Sequence, residues 1–372
     1  MKITRLETMF VKPRWLFLKM HTDEGLVGWG EPIVEGWSRT VAACVQEMGR
    51  YLVGQDPRRI EHHWQALYRG AFYRGGPVLV SALSGIEQAM WDILGKWLGQ
   101  PVYQLLGGPM REKIRMYKWG GGKNAEECAR SAREIAAQGF TAMKVGLPRT
   151  PIWGIDTLDY VQETERRFAA MREAVGSKFD IAIDFHGQVS PAMAIRLAKV
   201  LEPHYPLFIE EPVLPGAVDE LARVARSTTI PIATGERLFT KWEFRPVLEA
   251  GAAAVLQPDL SHAGGISECK KIAAMAECHY AMLAPHCPLG PIALAACLHT
   301  DAAIPNFLIQ EHVTLGEGYL KQPLQLTDGY ITLPAGPGLG VELDEKALVN
   351  KVHDGTWDTP QLRHADGSVG DW

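Results

Sequence analysis

From about residue 113 onward, short apolar runs alternate with segments of helical spacing. The runs are "KIRMYKW", "TAMKV", "DIAIDFH", "PLFIEE", "PIATGE", "AVLQPDL", "YAMLAPH" and "FLIQEH". Most gaps hold an Ala-, Arg- and Leu-rich stretch such as "PAMAIRLAKVLE". Eight strand-then-helix repeats predict a TIM-type barrel. Upstream the pattern differs. "WLFLKMHTDEGLVGWGE" reads as two strands turning at Asp23-Glu24-Gly25. Leu83, Ile86, Met90, Ile93, Leu94 and Trp97 keep helical spacing. Pro101 then opens a short helix that Gly107-Gly108 close. The pattern predicts an α+β capping domain over 1–112, a barrel over 113–330, and a C-terminal segment over 331–372 that returns to the capping domain.

Each later strand ends in a side chain with chemistry to offer: Asp184, Glu210, Glu236, Asp259, His286 and Glu311. The intervals of 26, 26, 23, 27 and 25 residues match one βα unit each. That phase gathers all six at the carboxyl end of one barrel, where such folds keep their active sites. Asp184, Glu210 and Glu236 on consecutive strands would repel unless a cation held them. An all-oxygen set favours a hard ion, Mg²⁺ or Mn²⁺, over zinc. Lys144 is expected to help balance the charge once an anionic substrate arrives.

His286 ends the seventh run and Asp259 the sixth, so Asp259 can orient the ring and raise its basicity. Strand alternation puts His186 on the face of Asp184. A metal ligand and a proton-handling imidazole then sit side by side. His262 is read as structural, Cys287 as a small packing residue, and the adjacent His62 and His63 as surface residues. Gly75-Gly76-Pro77 is either an ordinary turn or a lid over the mouth.

Composition narrows the field. The 372 residues are 47% hydrophobic and 22% charged, ordinary for a soluble enzyme. A net charge of −5 without a basic run argues against nucleic acid as a partner. No apolar run is long enough for a membrane span, and charges interrupt the N-terminal stretch where a signal peptide would need an apolar core. Six cysteines without a CxxC pair suit reduced thiols in a cytoplasm. GxGxxG, Walker, GxSxG, HxH and HExxH motifs are all missing, which disfavours nucleotide, serine-hydrolase and zinc chemistry.

Taken in order, the Lys144 strand, "DFH", "IEEP", "TGE", "QPDLSHAGG", "APHCPLGP" and "QE" form a specific set. "FYRGGP" precedes it, and "PGLGVE" and "RHADGSVGDW" follow. Together they resemble the mandelate racemase branch of the enolase superfamily and, within it, the D-galactonate dehydratases. The resemblance implies an α/β barrel, specifically a modified TIM-type (β/α)7β barrel, with an α+β capping domain. It matches Asp184, Glu210 and Glu236 to Mg²⁺ ligands, His286 to the base for the C2 proton, and Asp259 to its dyad partner. His186 matches the acid that protonates the departing 3-hydroxyl. Glu311 matches the residue that hydrogen-bonds the substrate carboxylate as it becomes an enediolate, for which it must be protonated. Burial beside a carboxylate is expected to raise its pKa that way.

One position departs from the pattern. Racemases of the branch carry Lys-x-Lys and galactonate dehydratases Lys-x-Asn, whereas this chain has Lys144-Val145-Gly146. A second base opposite His286 is therefore absent. The expected function is Mg²⁺-dependent dehydration of an acid sugar, D-galactonate foremost, to a 2-keto-3-deoxy sugar acid. The alternatives are a dehydratase for another aldonate or aldarate, a racemase or epimerase, and a metal-binding sugar-acid barrel without turnover. Binding alone needs neither His186 nor His286, which argues against the last. Expected partners are a small-molecule acid sugar and further copies of the chain in a homo-oligomer, with no nucleic acid and no membrane.

Overall fold

Alternating burial in the first hundred residues builds a three-stranded antiparallel sheet. Its strands are β1 (Ile3–Val11), β2 (Trp15–Thr22) and β3 (Val27–Gly30), and the β2–β3 hairpin turns where the sequence predicts. Helices α1 (Ser38–Leu52), α2 (Ile60–Arg69), α3 (Pro77–Leu98) and α4 (Val102–Leu105) follow. The computed structural model describes residues 1–372. In α3 the apolar stripe widens until most of the helix is buried, because β3 covers one side and the barrel the other.

The eight predicted strands all form. In order they are β4 (Lys113–Gly120), β5 (Ala142–Gly146), β6 (Asp180–Asp184) and β7 (Ile209–Glu210), then β8 (Ile232–Thr234), β9 (Val255–Leu256), β10 (Met282–Leu283) and β11 (Gln310–Glu311). Between them lie α5 (Ala125–Ala137), α6 (Leu158–Val175), α7 (Pro191–Leu201), α8 (Val218–Ala225), α9 (Thr240–Glu249), α10 (Gly265–Glu277) and α11 (Pro291–Ala303). Strands β4 to β10 pair in parallel, β11 pairs with β4, and a Leu283–Phe307 bridge closes the ring. Seven helices between eight strands give the (β/α)7β count.

A floor of side chains fills the barrel: Tyr117, Ala142, Ala182, Phe208, Ala233, Val255, Ala284 and Ile309 form one buried cluster. Small and large residues interdigitate, so the interior is a packed core rather than a pore. Side chains two residues further along a strand point the same way. That pleat places Trp119, Lys144, Asp184, Glu210, His286 and Glu311 directly above the floor, at the mouth.

Two features of the fold differ from the sequence expectation. A hairpin of β12 (Leu326–Thr327) and β13 (Tyr330–Thr332) adds antiparallel to the start of β4. Its Asp328-Gly329 turn has both residues at positive φ, as the Asp-Gly hairpin signal requires. His63 is buried, not on the surface like His62. Its ring spans the Tyr51 hydroxyl at 3.0 Å and the Asp56 carbonyl at 2.8 Å, which satisfies both nitrogens. Beyond the hairpin the chain passes through α12 (Glu345–Leu348) and runs along the capping sheet, with hydrogen bonds from Lys12 N–H to Lys351 and from His353 N–H to Phe10. No helix is long and apolar enough to cross a membrane.

The capping domain meets the barrel through buried carboxylates. Burial pushes Glu31 up to about 8 and Glu87 up to about 7, against backbone N–H groups that pull both down. Both folded values lie above the unfolded value of about 4.3. The folded chain therefore keeps protons that the unfolded chain has released, and stability from this source is full at low pH and lost as pH rises through the folded values. We expect the denaturant midpoint to fall between about pH 5 and about pH 8, with a shallower slope in Glu31→Gln whatever its absolute stability. Identical slopes in chemical denaturation would remove Glu31 from the account.

Candidate active site

The mouth of the barrel and the capping domain enclose a cavity of about 720 Å³. Asp184, His186, Glu236, His286 and Lys144 face it from the barrel. Arg14, Glu35 and Trp37 face it from the capping domain, and Thr359 and Trp372 from the C-terminal segment. The structure thus brings together the side chains that the strand-end spacing singles out.

Asp184, Glu210 and Glu236 each offer an oxygen, and these oxygens lie within 4.8 Å of one another. Asp184 and Glu210 are fully buried; Glu210 Oε2 has no hydrogen-bond partner, and Asp184 Oδ2 and Glu236 Oε2 meet only ionic contacts, the first from His186 at 3.1 Å and Lys144 at 3.5 Å, the second from His286 at 3.4 Å. Buried carboxylate oxygens aimed at one point fit a divalent cation with hard oxygen preference, and Mg²⁺ is the match.

Lys144 sits beneath this set and is more involved than the sequence suggests. Its Nζ lies 2.8 Å from Glu210, 3.0 Å from Glu311 and 3.5 Å from Asp184, with no exposure to solvent. Burial disfavours its charge, but Glu210, Glu311 and Asp184 outweigh that and hold its pKa well above the usual lysine value. It is a fixed cation, not a base. The charge balance therefore exists before any substrate enters.

The two imidazoles stand four strands apart in the eight-stranded ring, hence across the mouth from each other. His286 Nδ1 meets Asp259 Oδ2 at 2.9 Å, leaving Nε2 facing the cavity 3.4 Å from Glu236. Burial opposes charging the ring, yet Glu236, Glu311 and Asp259 push its pKa well above the usual range. His186 reaches its place by a different route from strand alternation. Strand β6 stops at Asp184 and the backbone turns, with His186 at φ 50°. Its N–H donates to Asp184 Oδ1 at 2.8 Å and its Nε2 lies 3.1 Å from Asp184 Oδ2. Burial works against the charged ring, but Asp184 raises its pKa and favours the protonated form.

Without substrate, Glu311 is held in its charged form. Burial alone would raise its pKa, but Lys144, His286 and the Cys287 N–H hold it below the usual carboxylate range. As a carboxylate it accepts: Trp119 Nε1 donates at 2.6 Å and Cys287 N–H at 2.9 Å. Donation from Glu311 to a substrate carboxylate therefore requires proton uptake on binding. Cys287, read from sequence as a packing residue, adds this backbone contact. His262 is held by Ser81 at 2.9 Å and lies 3.7 Å from Asp259, as suits a structural residue at the cavity edge. Gly75 and Gly76, both at positive φ, lead into α3, and Pro77 touches the cavity.

Two models of protein families match the chain. The mandelate racemase / muconate lactonizing enzyme N-terminal domain covers residues 5–107, and the enolase C-terminal domain-like model covers 127–347. The chain belongs to the mandelate racemase branch of the enolase superfamily. It is 52% identical to a D-galactonate dehydratase of Ralstonia nicotianae and 51% identical to one of Cronobacter sakazakii, in each case over all of both chains. Among solved structures, an enolase from Agrobacterium radiobacter with bound Na and L-malate has a TM-score of 0.94 at 32% identity, over all of both chains. A mandelate racemase/muconate lactonizing enzyme from a Sulfitobacter species has a TM-score of 0.90 at 37% identity, covering 97% of this chain and 99% of that one.

Within this enolase-superfamily site, sequence reading misses Trp119 and Arg237. Trp119 is two residues past the floor residue Tyr117, a signal that the pleat alone supplies. Arg237 Nη2 holds Glu211 at 2.5 Å and the His186 carbonyl at 3.0 Å, which steadies the left-handed turn. Arg237 directly follows Glu236, and Glu211 directly follows Glu210, so each pairs behind a proposed ligand.

Removing the fixed cation tests the electrostatics. Lys144→Met leaves buried carboxylates uncompensated, a change of the class that costs about 3–5 kcal/mol. Its melting temperature in EDTA should fall below that of wild type, and Mg²⁺ should raise it by more than it raises wild type. An equal Mg²⁺ increment in both proteins, read by thermal denaturation, would contradict the balance drawn here.

Proposed function

We propose that the chain dehydrates D-galactonate to the 2-keto-3-deoxy acid, with His286 as base and His186 as acid. The observation that carries the reading is the pair of imidazoles across the mouth, one backed by Asp259 and the other by Asp184. Full-length identity of about half to curated D-galactonate dehydratases supports the substrate. Six free cysteines are consistent with a reducing cytoplasm.

A C2 proton beside a carboxylate is weakly acidic, because its removal adds charge to the carboxylate oxygens. Mg²⁺ held by Asp184, Glu210 and Glu236 supplies positive charge against that development. Asp259 accepts the Nδ1–H of His286, and a cation held by Glu236 would offset the largest charge that keeps the ring protonated, so that Nε2 is free to take the proton. His186 then gives its proton to the 3-hydroxyl, which leaves as water, and the resulting enol becomes the 2-keto acid. Trp119 and the Cys287 N–H hold Glu311 against the same end of the cavity.

Gly146 separates this reading from racemisation. A Cβ there would meet the Trp119 ring at 3.6 Å, and the glycine has no side chain to return a proton to the opposite face of C2. Lys144 Nζ is engaged by Asp184, Glu210 and Glu311 and is no substitute.

Exhaustive EDTA treatment should abolish formation of 2-keto acid from D-galactonate, and Mg²⁺ should restore it. Full activity after chelation would reject the metal role. Proton NMR in D₂O separates the histidines: His286→Asn should block both dehydration and exchange of the C2 hydrogen. His186→Asn should block dehydration while exchange continues with retained configuration. Exchange surviving in His286→Asn would overturn the roles, and accumulation of the C2 epimer would overturn the single-base reading.

A further inference from the structure

Gly265 of "QPDLSHAGG" and Gly290 of "APHCPLGP" do no chemistry, yet each lies against a carboxylate from the capping domain. A Cβ on Gly265 would strike the Glu87 carboxylate, and φ +87° there already disfavours a side chain. A Cβ on Gly290 would meet the Glu31 carboxylate at 2.5 Å. Glu87 Oε2 accepts the Ile266 N–H at 2.8 Å, and Oε1 accepts the Ser267 N–H at 2.8 Å, at the start of α10. Glu31 Oε1 accepts the Gly290 N–H at 2.6 Å, and Oε2 accepts the Ala293 N–H at 3.0 Å, at the start of α11. Both glutamates are fully buried.

These helices follow the two short loops that carry the dyad. Asp259 lies six residues before Gly265, and His286 lies four before Gly290. Helix α3 grips the first loop again: Gln88 donates to the Leu260 carbonyl at 3.1 Å, and Ser84 accepts the Gly264 N–H at 2.9 Å. The Glu31 N–H donates to Gln88 at 2.9 Å, which joins the two clamps. The helices after the proposed metal ligands lack such help. Helix α7 is capped by its own Ser190 and the first turn of α9 by Glu243 and by Glu268 of α10, and no capping-domain side chain bonds the start of α7, α8 or α9.

We infer that Glu87 and Glu31 are positioning residues through which the capping domain sets the Asp259–His286 dyad, while the metal ligands are set by the barrel alone. The inference rests on His286 being the base. Once ionised, as each becomes above its folded pKa of about 7 or about 8, a carboxylate offers one acceptor oxygen to each N–H. A glutamine offers one oxygen and turns an N–H₂ group toward the other donor, so one clamp opens.

The test uses the full-length enzyme with Mg²⁺ and D-galactonate, comparing wild type, His286→Asn, Glu87→Gln and Glu31→Gln. Both glutamine variants should lose about 10- to 100-fold in kcat and in C2 hydrogen exchange, the scale of a sub-ångström to ångström misplacement. KM and the Mg²⁺ affinity by calorimetry should stay within about threefold of wild type. The deuterium isotope effect on kcat with C2-deuterated substrate should grow, a readout that mere loss of folded protein does not move. If Glu87→Gln does not fold, Gln88→Ala, which frees the Leu260 carbonyl, the Ser261 hydroxyl and the Glu31 N–H, should shift exchange and isotope effect the same way. Unchanged exchange and isotope effect in the folded variants would overturn the inference, as would a parallel loss of Mg²⁺ affinity. Exchange persisting in His286→Asn would instead reject the underlying assignment of the base.

Discussion

One ammonium group holds the centre of this protein together. Carboxylates that are to receive a cation must be ionised, close and dry, and those three conditions conflict. Lys144 eases the conflict by lying within 3.5 Å of Asp184, Glu210 and Glu311, although burial and Asp184 still hold Glu210 well above the usual carboxylate range. Its charge is further met by the face of Trp119, 4.9 Å away, whose indole N–H binds Glu311. Because the ammonium is locked, it is removed from proton transfer, and the histidines are left to divide that task.

The architecture around Lys144 follows from the pleat. Floor residues close the barrel, and the next inward position on the same strands carries the polar set. Helices and loops then need only aim a few groups. Where aim matters most, the backbone is strained: His186 and Glu211 both occupy the left-handed region, at φ 50° and 40°. Such conformations persist only when the surroundings impose them. Arg237 does so by bonding the Glu211 carboxylate and the His186 carbonyl at once.

The site is also divided between domains. The proposed metal ligands belong to β6, β7 and the turn after β8, and they are supported from within the barrel. The proposed base and its partner lie on loops that the capping domain grips through Glu31, Gln88 and Glu87. The cavity closes only where Arg14, Glu35 and Trp37 of the capping domain and Trp372 of the C-terminal segment meet the barrel mouth. The cavity is therefore lined by residues from both ends of the chain.

Much of this was legible in the amino-acid order, because a βα unit has a nearly constant length and a strand has a period of two. Those two regularities place Asp184, Glu210, Glu236, Asp259, His286 and Glu311 at one end of one barrel without any knowledge of their contacts. The same period marks Trp119, although an indole above a tyrosine reads as core until its N–H is seen on Glu311. The hairpin at Asp328-Gly329 carried its turn signal, but its partner β4 lies some two hundred residues earlier. What only the tertiary structure decided are quantities that depend on distance in a low dielectric. The ionised state of Glu311 follows from Lys144 and the Cys287 N–H, and the burial of His63 from Tyr51 and Asp56. The grip of Glu87 and Glu31 on α10 and α11 spans roughly 180 and 260 residues of chain. Local pattern fixes which way a side chain points; only the closed fold fixes which charges it must share the space with.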